Sequence, residues 1–92
     1  MAIFAVMPSL PRGENLGRTI EEKFKDANYP MEGGHGWLVS ANSRAQAISD
    51  SLGITDGTNG SAVVFEVAAY FGRANPALWN WIKLHWEAGQ NV

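Results

Sequence analysis

The chain contains no cysteine. That excludes a disulfide framework, a thiolate metal site and a thiol nucleophile. Histidine is scarce as well: His35 and His85 stand far apart, with no acid at ligand spacing, so no zinc site and no cofactor is expected. Neither sign of charge dominates. Seven Lys and Arg against nine Asp and Glu give a formal charge of -2, which supplies no global basic field for nucleic acid or anionic lipid. Long apolar runs are missing too, and nothing approaches the roughly 20 residues of a membrane-spanning helix. The apolar start, Ala2 to Met7, is too short for a signal h-region and lacks a preceding positive segment, so a cytoplasmic protein is expected.

What is present suits a globular chain: 46% hydrophobic and 17% charged residues over 92 positions. One domain over 1–92 is expected, with a core in 1–70 and a C-terminal helix over 75–89. Ala2 to Met7 is apolar on both alternating faces and reads as a central strand, ended by Pro8, Pro11 and Gly13. Leu16, Ile20 and Phe24 recur at helical spacing among charged residues, behind Asn15 as N-cap. Tyr29-Pro30-Met31 reads as a weak edge strand, and Gly33-Gly34-His35-Gly36 as the turn into the strand Trp37 to Ala41. Ser43 and Gln46 have capping-box spacing before a helix carrying Ala45, Ile48 and Leu52, which Gly53 closes. After the polar loop 55–60, Ala62 to Val67 reads as a strand. Ala68 to Arg73 is ambiguous and can extend it. Asn75 and Pro76 open the last helix, and Gly89 is its natural stop.

The fold expected from this order is α+β: a ferredoxin-like β-α-β-β-α-β antiparallel sheet with two helices on one face, plus a C-terminal helix. A three-layer β-α-β-α-β-α sheet is the alternative if the Tyr29 strand does not form. Alternation places Trp37, Val39 and Ala41 with Val63, Phe65 and Val67 on one apolar face, toward the helices. Leu38, Ser40, Val64 and Glu66 fall on a mixed face that needs cover from the last helix or a second subunit. It carries too few aromatics for base stacking, so nucleic acid is not an expected partner.

Three loops share one end of such a sheet and would bring Arg12, His35 and Asp56 together among glycines, the first place to look for a ligand or catalytic site. Asn42, Arg44, Arg73 and Asn75 would lie at the other end. Neither glycine-rich loop has the context of a phosphate or calcium motif, and Ser9, Ser40 and Ser43 form no nucleophile elbow. Late in the chain, Trp79, Ile82 and Trp86 can share a helix face. Trp81 and His85 form a second strip, and with Leu38 and Val64 they are the candidate interface residues.

The run from Trp37-Leu38-Val39 through Ile48-Ser49-Asp50-Ser51-Leu52 to Val63-Val64-Phe65 resembles compact ferredoxin-like bacterial proteins related to the CRISPR spacer-acquisition endonuclease, and small toxin and antitoxin RNases of the same plan. The resemblance implies a homodimer. It also implies a metal-dependent phosphodiesterase where an aspartate ends the first strand, but here that place reads Met7-Pro8-Ser9. The expected function is therefore a non-enzymatic, homodimeric interaction or regulatory module of a bacterial or phage cytoplasm. The alternatives are a metal-dependent RNase or a nucleotide-binding protein using the Arg12, His35 and Asp56 end.

Overall fold

The computed structural model describes residues 2–86, with the side chains of Pro11 and Arg12 outside the description. The order is β1 (Ala2–Arg12), α1 (Leu16–Lys23), β2 (Asn28–Pro30), a 3-10 turn (Glu32–Gly34), β3 (Trp37–Ala41), α2 (Ala45–Ser51), β4 (Gly60–Glu66) and α3 (Pro76–His85). The four strands form one sheet in the order β2-β3-β1-β4, with every neighbouring pair antiparallel. The fold is α+β. β3 separates β1 from β2, and β1 separates β3 from β4, so each strand-helix-strand unit is split by a strand of the other.

Proline does not end β1 where the sequence suggested. Val67 N–H donates to the Ile3 carbonyl at 2.8 Å, and the register runs Ala5↔Phe65, Met7↔Val63 and Ser9↔Ser61. Antiparallel partners alternate between pairs that exchange hydrogen bonds and pairs that do not. Pro8 faces Ala62 in a non-exchanging pair, so β4 does not miss its N–H. On the other side β3 has already ended, at Val6↔Trp37. Pro11 falls in the irregularity between Ser9 and Arg12, where an unpaired residue is tolerated.

One face carries the main core. Phe4, Val6, Trp37 and Val39 meet Leu16 and Ile20 of α1, together with Ile48, Leu52 and Ile54 from α2 and its exit. Both helices thus lie on one face, as expected. The phase of β4 is the reverse of the expectation. Its register with β1 puts Ala62 and Val64 against this core, whereas Val63 and Phe65 point to the opposite face, 49% and 54% exposed. Every residue from Ala62 to Phe65 is apolar, so either phase buries apolar surface, and pairing to β1 decides it.

α3 covers the second face. Leu78 and Ile82 pack on Ile3 and Leu38, with Tyr29, Met31, Val67, Trp79, Trp81 and Trp86 around them. The N-terminus of α3 is capped as expected: Asn75 Oδ1 accepts from Ala77 N–H at 2.9 Å, and Pro76 takes the first turn. α3 ends at His85, with Trp86 already extended; the expected stop at Gly89 lies outside the described residues. β4 ends at Glu66, and Ala68 to Arg73 forms no strand.

The other expected caps differ. Ser43 does not cap α2, which starts one residue later with Arg44 extended at the cap position and no side-chain cap bond. Asn15 occupies the cap position of α1 without using its side chain; its carbonyl instead accepts from both Thr19 N–H and Thr19 Oγ1, each at 2.9 Å. Gly53 closes α2 as expected, at φ 72°, a left-handed conformation that costs glycine little.

Docking α3 through Leu78 and Ile82 makes Ile82→Ala costly, by about 2–5 kcal/mol, because it opens a cavity under the helix. Leu84, 80% exposed on the same helix, is the control, and Leu84→Ala should change stability by no more than about 0.5 kcal/mol. Urea denaturation of the two variants checks the contrast.

Candidate functional site

One concavity lies at the end of the sheet that carries the β2–β3 turn. A cleft of about 240 Å³ opens there between the 3-10 turn and the start of α3. Its rim holds Glu32, His35, Arg73 and Asn75, and its floor includes Tyr29 and Leu78. Asn75 Nδ2 donates to Glu32 Oε1 at 3.0 Å, tying the two sides of the cleft together. Glycine makes the turn possible: Gly33, Gly34 and Gly36 all have positive φ. A Cβ on Gly36 would also come within 2.6 Å of the Val6 carbonyl oxygen. His35 is thereby held, exposed, beside the exit of β1, where a smaller hollow is lined by Pro8, Ser9, Leu10 and Gly34.

Of the expected cluster of Arg12, His35 and Asp56, His35 lines this cleft. The Arg12 backbone pairs with Gly60, but its side chain lies outside the described residues. Asp56 shapes its own loop. Its Oδ1 accepts from Thr58 N–H at 2.9 Å, and that backbone bond holds its carboxyl below the ordinary carboxylate value. The loop it shapes is anchored by Asn59, whose Nδ2 donates to the Leu52 carbonyl at 2.7 Å and to Thr19 Oγ1 at 3.2 Å. A Cβ on Gly13 would overlap the Asn59 backbone, so this loop and the start of α1 pack without room for a larger residue.

Arg73 and Asn75 are at the His35 end, not the opposite one. The segment after β4 crosses the sheet and delivers them to the β2–β3 turn, a path that a stretch without periodicity does not reveal. Glu32 was missed altogether, and only its place beside the glycine turn could have drawn attention to it. The cleft offers cationic, acidic and amide groups but no buried nucleophile. Ser40 is buried with its hydroxyl unpartnered, yet it lies within β3, away from the His35 turn. No group of three or more His, Asp or Glu that could hold a metal occurs among the described residues.

The four candidate interface residues take different places. Leu38 is only 9% exposed, beneath α3. Val64 is half-buried against the main core. Trp81 stacks on His85 with ring centres 4.3 Å apart and leans on Tyr29 at 6.1 Å, so part of its surface is already used within the chain. What stays open on the α3 face is a strip of Met7, Val63 and Phe65, all more than two-fifths exposed. Phe71 and Leu84 are fully or largely exposed nearby in sequence to Tyr70 and α3. An apolar cavity of about 270 Å³, lined by Ile3, Leu38, Val67, Tyr70, Ile82 and Trp86 among others, lies under α3. No helix among the described residues is long and apolar enough to cross a membrane.

No protein-family model, curated protein or solved structure matches the chain.

The Asp56 turn gives a pH-dependent expectation. Its carboxyl is lowered in the folded state, so its contribution is present above the ordinary carboxylate value and is lost as pH falls through the lowered one. The difference in melting temperature between the wild type and Asp56→Ala should therefore narrow in acid. Melting curves at neutral pH and below pH about 4 measure it.

Proposed function

We propose that the chain is a small non-enzymatic interaction module that works as a homodimer on a ferredoxin-like framework. The order β2-β3-β1-β4, with α1 and α2 together on one face, supports the framework. The observation that carries the function is the strip of Met7, Val63 and Phe65. These side chains stand side by side on β1 and β4, on the face that α3 only half covers. A chain of 92 residues has little apolar surface to spare, and side chains of this size left in water on a flat sheet mark a contact surface.

Cytoplasmic placement is part of the same proposal. The polar cleft around His35 is the place for a regulatory ligand rather than for chemistry, since Glu32 is already bonded to Asn75 there.

Sedimentation over about 1 to 100 µM should show a monomer–dimer equilibrium. Phe65→Lys should weaken it at least about tenfold, because it puts a charge into the contact, while the melting temperature of this exposed position stays near that of the wild type. Trp81→Ala is the control for a contact through α3 and should leave association unchanged. A strict monomer over the whole range would overturn the reading.

A further inference from the structure

We propose that the homodimer forms by antiparallel pairing of β4 with β4 of a second copy, in the register that places Val64 on the two-fold axis, and so makes one continuous eight-stranded sheet. This rests on the homodimer reading and specifies its geometry. The argument starts from the ladder. Val67 N–H bonds to the Ile3 carbonyl, so by alternation Phe65, Val63 and Ser61 turn their backbone groups toward β1. Ala62, Val64 and Glu66 then turn their N–H and C=O groups away from it, to the edge of the sheet. Among the described residues no strand lies beyond β4.

The two edges differ in protection. β2 is three residues long and ends in Pro30, which pairs with Trp37. Successive backbone bonds from Ser40 N–H to Ala27 and from Met31 N–H to Gly36 show that Pro30 turns its missing N–H outward. That is a common way to block edge pairing. β4 is seven residues long, Gly60–Glu66, and contains no proline, lysine or arginine. Apart from Glu66 at its end, nothing in its sequence discourages another strand.

A second copy fits this edge better than an arbitrary strand because the sequence is compatible with itself. With Val64 opposite Val64 of the second copy, Ala62 faces Glu66, and all three outward residues of each chain exchange hydrogen bonds. Shifting by one pair, to centre on Val63, would bring in Gly60, whose N–H already donates to the Gly57 carbonyl at 3.1 Å. Charge agrees with the same choice. Glu66 is the only charged residue of β4, and in this register the two copies of it lie four residues apart along the strand, about 14 Å. That exceeds the Debye length of about 8 Å at physiological salt, so the pair repels little. On the α3 face, Phe65 stands opposite Val63 of the second copy, and the reverse. Cross-strand contact thereby covers the flanks of Val63 and Phe65, while Met7, one strand further in, stays outside the contact.

The natural absence of cysteine makes the register directly testable. Val63→Cys and Phe65→Cys are prepared as separate proteins; both sites are exposed, so the fold is retained. In the proposed register, residue 63 and residue 65 of the second copy form a non-exchanging pair about 4.5 Å apart at Cα, within disulfide range, whereas 63–63 and 65–65 are diagonal at about 7–8 Å. The mixed proteins should therefore cross-link under mild oxidation at least about tenfold faster than either variant alone. Faster cross-linking of Val63→Cys with itself would overturn the register in favour of the one centred on Val63. A wild type that sediments as a dimer, with no preferential cross-link in any mixture, would overturn edge pairing while leaving the homodimer intact. A wild type that stays monomeric would remove both.

Discussion

The structure depends on β1 being hydrogen-bonded on both sides. Its odd residues exchange bonds with β4 and its even residues with β3. That single alternation decides which side chains meet α1 and α2 and which meet α3. Phe4 and Val6 go to the main core; Ile3, Ala5 and Met7 go to the other face. It also decides where β1 can hold proline. Pro8 is harmless because its nitrogen turns toward the side where β3 has ended, and at Gly36 the chain must pass so close to Val6 that only glycine fits.

The two faces are buried by different means. Two short helices spread over the first face, and each contributes few deeply buried side chains: Leu16 and Ile20 from α1, Ile48 from α2. The second face has only α3, ten residues or about 15 Å long. Four strands span about 14 Å between the outer two, and each strand is several residues deep. One helix cannot cover that area. It settles over Ile3 and Leu38, near the centre, and the β4 side is left to solvent.

The parts of the fold that could be read from sequence are those where one property points one way. In Trp37 to Ala41 and in Leu16, Ile20 and Phe24, periodicity and punctuation agree, and strand and helix stand where expected. The Asn75-Pro76 pair is equally local: one side chain caps one N–H, and one ring needs none. β4 is different. Its hydrophobicity is nearly even along the strand, so its phase is not a property of its own sequence but of the Ile3 to Ser9 register beside it. The site was half legible for the same reason. Glycines announced the turn that holds His35, but Glu32, Arg73 and Asn75 join it only through a crossing segment whose path no local pattern encodes. Asp56, an acid among glycines, bonds to Thr58 within its own turn.

The same crossing segment links the polar end to the apolar strip. Asn75 uses both ends of its amide, accepting from Ala77 to start α3 and donating to Glu32 to hold that start against the β2–β3 turn. With its first turn held there and Leu78 and Ile82 seated over Leu38 and Ile3, α3 cannot slide toward β4 without breaking one anchor or the other. The uncovered strip thus follows from where the short helix is pinned as well as from its length, with Trp79, Trp81 and Trp86 gathered around its own seat.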